Sequence, residues 1–466
     1  MKLPFHQTWL YEIHSRIFCS ENDCRIGKLG HQFWESDPVQ VANQIWLMGI
    51  WEMSPGSEKI ARSHPGLRDE FKKAKSNLEE DDILSSPYAI YNYNLNPILT
   101  SNEEILVFRN QLLENQKQLI LDFVPNHMSL DTPLLNSHSE CFLKGQVPDK
   151  NHFLHSSGEV FAHGRDPYFD GWTDTVQWDF SNVKTLDLHI EILLSIAKLC
   201  DGVRCDMAML ALPDVFTATH NKPGIPYWKS LIETVKSQYP NFKFYAEAYW
   251  NREYELQTLG FDGTYDKTLY DRLTLKNGES VKAHLNADTN YQSKSIRFIE
   301  NHDEDRSAKH FGFATLDFFS LLCFLPGIQL YYQDQEKGFK IKLPIQLGKR
   351  DREETDHNYF EFYIRVFKAL KSRNGSLYRF TPTYHIFGDG DVLVYLLESA
   401  LHSELFIWNP MNYEISGKIM LEDKYFPKID LFDIVGGQTF PAPDSNSQKD
   451  GLFFRLTAYK AQWFIF

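Results

Sequence analysis

Four short segments run from an apolar stretch into charged or hydrogen-bonding side chains. They are LILDFVPNH (119–127), DGVRCDMAM (201–209), FYAEAYW (244–250) and RFIENHD (297–303). Three of them carry a carboxylate at the end of a predicted strand: Asp206, Glu247 and Asp303. Such a group is costly to bury unless it is paired or hydrogen-bonded. Three in one chain point to carboxylates that converge on a common site. Glycoside hydrolysis is the chemistry that most often needs this, with one carboxylate as acid/base and another as nucleophile.

The segments lie in a pattern that fixes their relative positions. SNEEILVFRNQLLENQ (101–116) opens with a capping box, Ser101 and Glu104, and has helical spacing; QLILDF (118–123) follows as a strand. Helix 185–200 precedes the strand GVRCDMAM, and helix 227–240, closed by Pro240, precedes FKFYAEAY. Short apolar strands alternating with helices predict a parallel sheet covered by helices.

Spacing selects a barrel, which uses about 30 residues per strand–helix unit. From Asp206 to Glu247 is 41 residues, one unit; from Glu247 to Asp303 is 56, two compact units with a strand near 260–270 between them. From Asp122 to Asp206 is 84, and the surplus lies in 128–180. Counting backwards, 9–17 and 44–51 are the first and second strands; 328–333 is the eighth. The polar groups then sit at carboxyl ends of strands, where barrel active sites form. After the helix 358–373, short apolar runs alternate with Gly, Asp, Asn and Pro turns, which predicts strands. The expected fold is α/β: a (β/α)8 TIM barrel formed by 1–127 and 181–375, a loop domain 128–180 inserted after the third strand, and an all-β sandwich over 376–466.

Composition excludes other classes. Among 466 residues, 42% are hydrophobic and 24% charged, ordinary for a globular protein, and the net charge of −14 opposes nucleic acid as a partner. Aromatics reach 15%, enough for a core and for platforms under sugar rings. No apolar run is long enough to span a membrane, and the first residues carry no signal-peptide pattern. The six cysteines are therefore expected as free thiols in the cytoplasm. Cys205 beside Asp206 points to the opposite face of its strand and is read as structural.

DFVPNH, GVRCDMAM, AEAYW and ENHD, in this order and spacing, resemble the four short regions of the α-amylase family, glycoside hydrolase family 13. The resemblance covers residues 8–335. It implies Asp206 as nucleophile, Glu247 as general acid/base and Asp303 as the carboxylate that stabilises an oxocarbenium-like state. Arg204 shares the inward face of Asp206 and would keep it ionised. Glu247 lies between Tyr245 and Tyr249, whose apolar wall would raise its pKa. His302, His127 and Asp122 match hydroxyl-binding positions. Tyr88 in SSPYAIYNYNL (85–95) matches a tyrosine that stacks under the sugar, with Tyr93 as its structural partner. Trp172 and Trp178 are read either as sugar platforms or as packing residues of the inserted domain. Asn126 matches a calcium ligand, so a structural calcium is left open; no other cofactor is implied.

One departure narrows the expected activity. Starch enzymes that cut inside long chains carry Lys-His three and four residues after the nucleophile, where this chain has Met209 and Leu210. That favours a short oligosaccharide or small α-glucoside, or transfer to a sugar acceptor. The readings are a retaining α-glycosidase, a transglycosylase or isomerase on the same barrel, and a non-catalytic sugar-binding barrel. The last conflicts with the presence of all three carboxylates.

Overall fold

A computed structural model describes residues 3–373, 377–388, 390–399 and 402–466. Eight strands close a parallel barrel: strand 1 Gln7–His14, 2 Gln44–Met48, 3 Gln118–Phe123, 4 Gly202–Cys205, 5 Lys243–Ala246, 6 Gly263–Tyr265, 7 Ser295–Arg297 and 8 Gly327–Tyr332. Strand 8 pairs with strand 1 over six residues and completes the closure. Strand 2 is buried along its whole length, as a strand covered on both faces must be. Strand 6 is squeezed between its neighbours: a Cβ at Gly263 would lie 2.7 Å from Ile328 and 3.0 Å from Ile296, which explains a glycine there.

The helices Asn102–Glu114, Val183–Ile196 and Trp228–Gln238 lie where their periodicity places them. The first is capped by Ser101, whose hydroxyl accepts from the Glu104 amide. The other half of the expected box goes elsewhere, because the Glu104 carboxylate pairs with Arg25 at 2.7 Å. An ion pair outcompeted a backbone amide for that acceptor.

Two expected strands end differently. Strand 1 stops at His14, whose ring caps a helix Ser15–Asn22 by accepting from Ile17 N. Strand 7 ends at Arg297, where the sequence pattern has it begin, so Phe298–Asp303 is a loop above the barrel. The inserted stretch carries two short antiparallel ladders, His127–Ser129 with Thr175–Gln177 and His152–Leu154 with Val160–Ala162. A helix pair not foreseen in the sequence, Pro55–Ser63 and Pro65–Ala74, follows strand 2.

The C-terminal strands form a seven-stranded and a three-stranded sheet around their own apolar cluster. The larger sheet recruits Leu3–Phe5, which pairs with Leu377–Phe380. Two buried carboxylates connect these sheets to the barrel side: Glu404 accepts from Arg373 at 2.9 Å, and Asp317 accepts from the Ala461 amide at 2.8 Å. The expected junction at 375–376 lies outside the described residues. No helix among the described residues is long and apolar enough to cross a membrane.

Candidate active site

Parallel register sets the first layer. Arg204 on strand 4 lies opposite Asp122 on strand 3 and Tyr245 on strand 5, so all three stand at one level of the barrel. Asp206 and Glu247 follow just beyond the ends of strands 4 and 5. The fully buried Arg204 guanidinium contacts Asp206 Oδ1 at 2.6 Å, Glu247 Oε2 at 2.8 Å and Asp303 Oδ2 at 3.9 Å. Its charge is enclosed by the rings of Trp46, Tyr88 and Tyr265, with centroids 5.1–5.6 Å from Cζ. One cation therefore draws together three carboxylates, two just beyond the ends of strands 4 and 5 and one on the loop after strand 7.

Glu247 is the most tightly held of them. Its Oε2 accepts from Met207 N at 2.6 Å and its Oε1 from the Tyr249 hydroxyl at 2.7 Å. Met207 donates from a left-handed backbone, φ 42°, and Trp250 and Asn251 just after Glu247 are also left-handed. Strained non-glycine residues on both sides of one carboxylate mark loops that are held by their surroundings. Burial raises the Glu247 carboxyl to about 7, against the pull of Arg204. Burial also raises Asp206, while the Arg204 contact opposes it.

Asp303 behaves oppositely. Burial pushes its carboxyl up, but the charge and hydrogen bond of His302 outweigh it and leave it at about 2. His302 Nε2 lies 3.0 Å from Asp303 and 2.7 Å from the Tyr88 hydroxyl, and its Nδ1 meets Glu12. Burial lowers this imidazole, yet Asp303 and Glu12 hold it at about 10, so it is a cation at neutral pH. Tyr88 stacks on His302 at 5.3 Å. Asp122 accepts from Trp46 Nε1 and the Gly49 amide, and burial raises it to about 6. His127 is buried, which lowers it to about 4, and it meets the edge of half-buried Trp172 at 5.1 Å.

No protein-family model matches the chain. It is 24% identical over 355 residues to Alpha-amylase 2 of Dictyoglomus thermophilum, a match covering 68% of this chain and 57% of that protein. The chain thus spans less than two thirds of that relative's length. Its fold is that of an α-amylase from Lactobacillus plantarum (TM-score 0.66, 16% identity) and of a maltogenic α-amylase from Thermotoga neapolitana (0.65, 18%), each covered over 98% of both chains. The chain is similar to α-amylases in sequence and shares their fold.

Against the family pattern, Asp206, Glu247, Asp303, Arg204, His302 and Tyr88 come together in one cluster, with Asp122 beside Arg204 in the barrel register. Tyr93 lies in the wall, exchanging hydrogen bonds with the backbone of Val124. Trp178 is a correction. It is fully buried, stacked on Phe142 at 4.0 Å and edge-on to His189, so it fills the core of the inserted stretch and offers no face to a sugar. Asn126 is a second. Its Oδ1 accepts from Gln177 Nε2 at 3.0 Å, and the same amide reaches the carbonyls of Asn126 and Trp178. A donor occupies the position where a cation would need oxygen. The residues do not fit calcium there.

Met209 and Leu210 are buried in the turn after Asp206 and present no polar group to a leaving sugar. Sequence reasoning missed Glu12, Tyr265 and Lys342. Glu12 had a signal, a lone acid inside the apolar run WLYEIH. Lys342 had none: its Nζ reaches the Asp303 carbonyl from the loop after strand 8.

Proposed function

We propose that the chain is a retaining α-glycosidase acting on α-glucosidic bonds of oligosaccharides or small α-glucosides. The observation that carries this is the single buried guanidinium shared by Asp206 and Glu247 with Asp303 at its edge. Two carboxylates bridged by one guanidinium are close neighbours, as retaining enzymes need at a separation of about 5–5.5 Å.

Glu247, raised to about 7, is protonated in a useful fraction at neutral pH and donates to the glycosidic oxygen. Asp206, faced by Arg204, attacks the anomeric carbon as the bond to the departing oxygen breaks. The product is a covalent glycosyl-enzyme. Glu247, now a carboxylate, takes a proton from water, whose oxygen displaces Asp206 and restores the original configuration. Asp303 stays ionised throughout, and the His302 cation beside it grips sugar hydroxyls together with it. Tyr88 supplies the flat face under the ring.

The apolar pair Met209 and Leu210 supports a short substrate, and the naming of one fold neighbour as a maltogenic α-amylase agrees with an α-glucan origin. The same pair also favours a second reading, transfer to a sugar acceptor in place of water. Incubation with maltose, maltohexaose, sucrose, trehalose and glycogen, followed by separation of the sugars, tests both. Released glucose or shorter oligosaccharides indicate hydrolysis, and longer or isomeric sugars indicate transfer. An unchanged panel contradicts the proposal.

A further inference from the structure

Arg16 is the first cation beyond strand 1, and it is paired in an unusual way. Its side chain is almost wholly buried, at 4% exposure, yet no carboxylate lies within ion-pair distance of it among the described residues. One guanidinium nitrogen donates to the Ser85 carbonyl, and Nε has no hydrogen-bond partner. Burial lowers this guanidinium to about 10, with Glu58 too distant to offset it. It stays charged at neutral pH, and a buried charge without a counter-charge is costly.

Arg16 lines a cavity of about 640 Å3 whose wall also holds Arg25, Lys28 and Lys349. Arg25 and Lys28 share one acid, Glu104, and Lys349 stands 3.5 Å from Asp82. Asp23 and Asp81 line the cavity too, but Asp81 is turned outward, 94% exposed. Four cations on one wall are conspicuous in a chain of net charge −14.

We infer that this cavity is an anion site centred on Arg16, which takes the phosphate group of a small phosphorylated molecule. A guanidinium without a counter-charge, flanked by ammonium groups along a cavity wall, is what recognises phosphate. The volume falls in the range of small-molecule sites and exceeds what bare phosphate fills, so a sugar phosphate is the occupant that fits. The site is separate from the carboxylate cluster but shares a wall with it. Ser85 lies three residues before Tyr88, and a Cβ at Gly49, whose amide holds Asp122, would lie 3.6 Å from Arg16 Nε. An occupant would therefore steady the segment that carries Tyr88.

Calorimetric titration of the full chain tests this, with inorganic phosphate and glucose 6-phosphate as separate probes and sodium chloride as the ionic-strength control. The expected result is saturable one-to-one binding, lost in Arg16→Gln and about tenfold weaker in the double variant Lys28→Ala/Lys349→Ala. Tighter binding of glucose 6-phosphate assigns a sugar phosphate. Equal binding assigns the phosphate group alone. The rim variant removes two exposed charges and decides the matter if Arg16→Gln does not fold, with circular dichroism as the check on folding. No saturable heat from either probe, or binding that the rim variant leaves unchanged, overturns the inference.

Discussion

Removing the Tyr249 hydroxyl should move the pH dependence of catalysis in a direction set by the geometry around Glu247. Glu247 stands at about 7 because burial outweighs the groups that favour its anion. Those groups are Arg204 at 2.8 Å, the Met207 amide at 2.6 Å and the Tyr249 hydroxyl at 2.7 Å. Tyr249 itself is raised well above its ordinary value by burial, so it remains a donor throughout the working range. A hydrogen bond to a charged group contributes about 1.5–3 kcal/mol, and one pKa unit is about 1.4 kcal/mol. Two donors remain in Tyr249→Phe, so the lower end applies, about one unit. The lost bond favoured the anion, so the carboxyl rises from about 7 toward about 8. Glu247 must be protonated to act as an acid, so the alkaline limb of kcat/KM moves up by about one unit. The assay is a pH series of kcat/KM on an α-glucoside with a poor leaving group. An α-glucosyl fluoride, whose fluoride departs with little help from an acid, serves as the control and should not show the shifted limb. A limb that stays in place or moves to lower pH refutes the role given to Tyr249 and the acid role of Glu247.

Glu12→Gln should cost about 3–5 kcal/mol in urea unfolding, because it strips a buried partner from the His302 cation. His302, raised from 6.5 to about 10, stabilises the fold fully below its unfolded value and loses that contribution as pH climbs toward about 10. The deficit of the variant should therefore be largest near pH 6, below the unfolded value, and narrow steadily as pH rises toward about 10; a deficit that grows with pH over that window contradicts the pairing. Trp178→Ala should lower stability by about 3–5 kcal/mol through a cavity against Phe142. A raised KM with unchanged stability would restore it as a sugar platform. Chelation should leave Tm unchanged, since the Gln177 amide already occupies the Asn126 oxygen; a drop in Tm that calcium reverses sinks that reading.

The barrel was legible because its strands are short apolar runs at regular spacing, and because polar residues at strand ends have few structural uses. Asp122, Arg204 and Glu247 lie on or beside strands, so alternation and register placed them together. His302 and Asp303 were found by their motif, although the segment carrying them is a loop, to which strand alternation does not apply. Glu12 was missed despite carrying the same signal as the others, a single acid in an apolar strand, because no motif drew attention to it. For Trp178 the choice between platform and core stayed open, because an aromatic beside a binding site and an aromatic in a core look alike in sequence. Stacking on Phe142 separates them, and that contact joins residues 36 positions apart. The Asn126 assignment failed for a related reason: whether an amide oxygen faces a cation or a donor depends on Gln177, 51 residues away. The addition of Leu3–Phe5 to the C-terminal sheet is a pairing across the whole chain that no local pattern announces.

The central claim is that Asp206 forms a covalent bond to the sugar. An α-glucosyl fluoride carrying a second fluorine on the sugar ring slows both chemical steps, while the good leaving group still lets the first proceed. The intermediate then accumulates. Digestion and mass spectrometry of the inactivated enzyme locate the adduct. The expected result is one fluoroglucosyl unit on the peptide containing Asp206, absent in Asp206→Asn, with slow reactivation when a sugar acceptor is added. An adduct on Glu247 or Asp303, or turnover that yields an inverted product with no adduct at all, would contradict it.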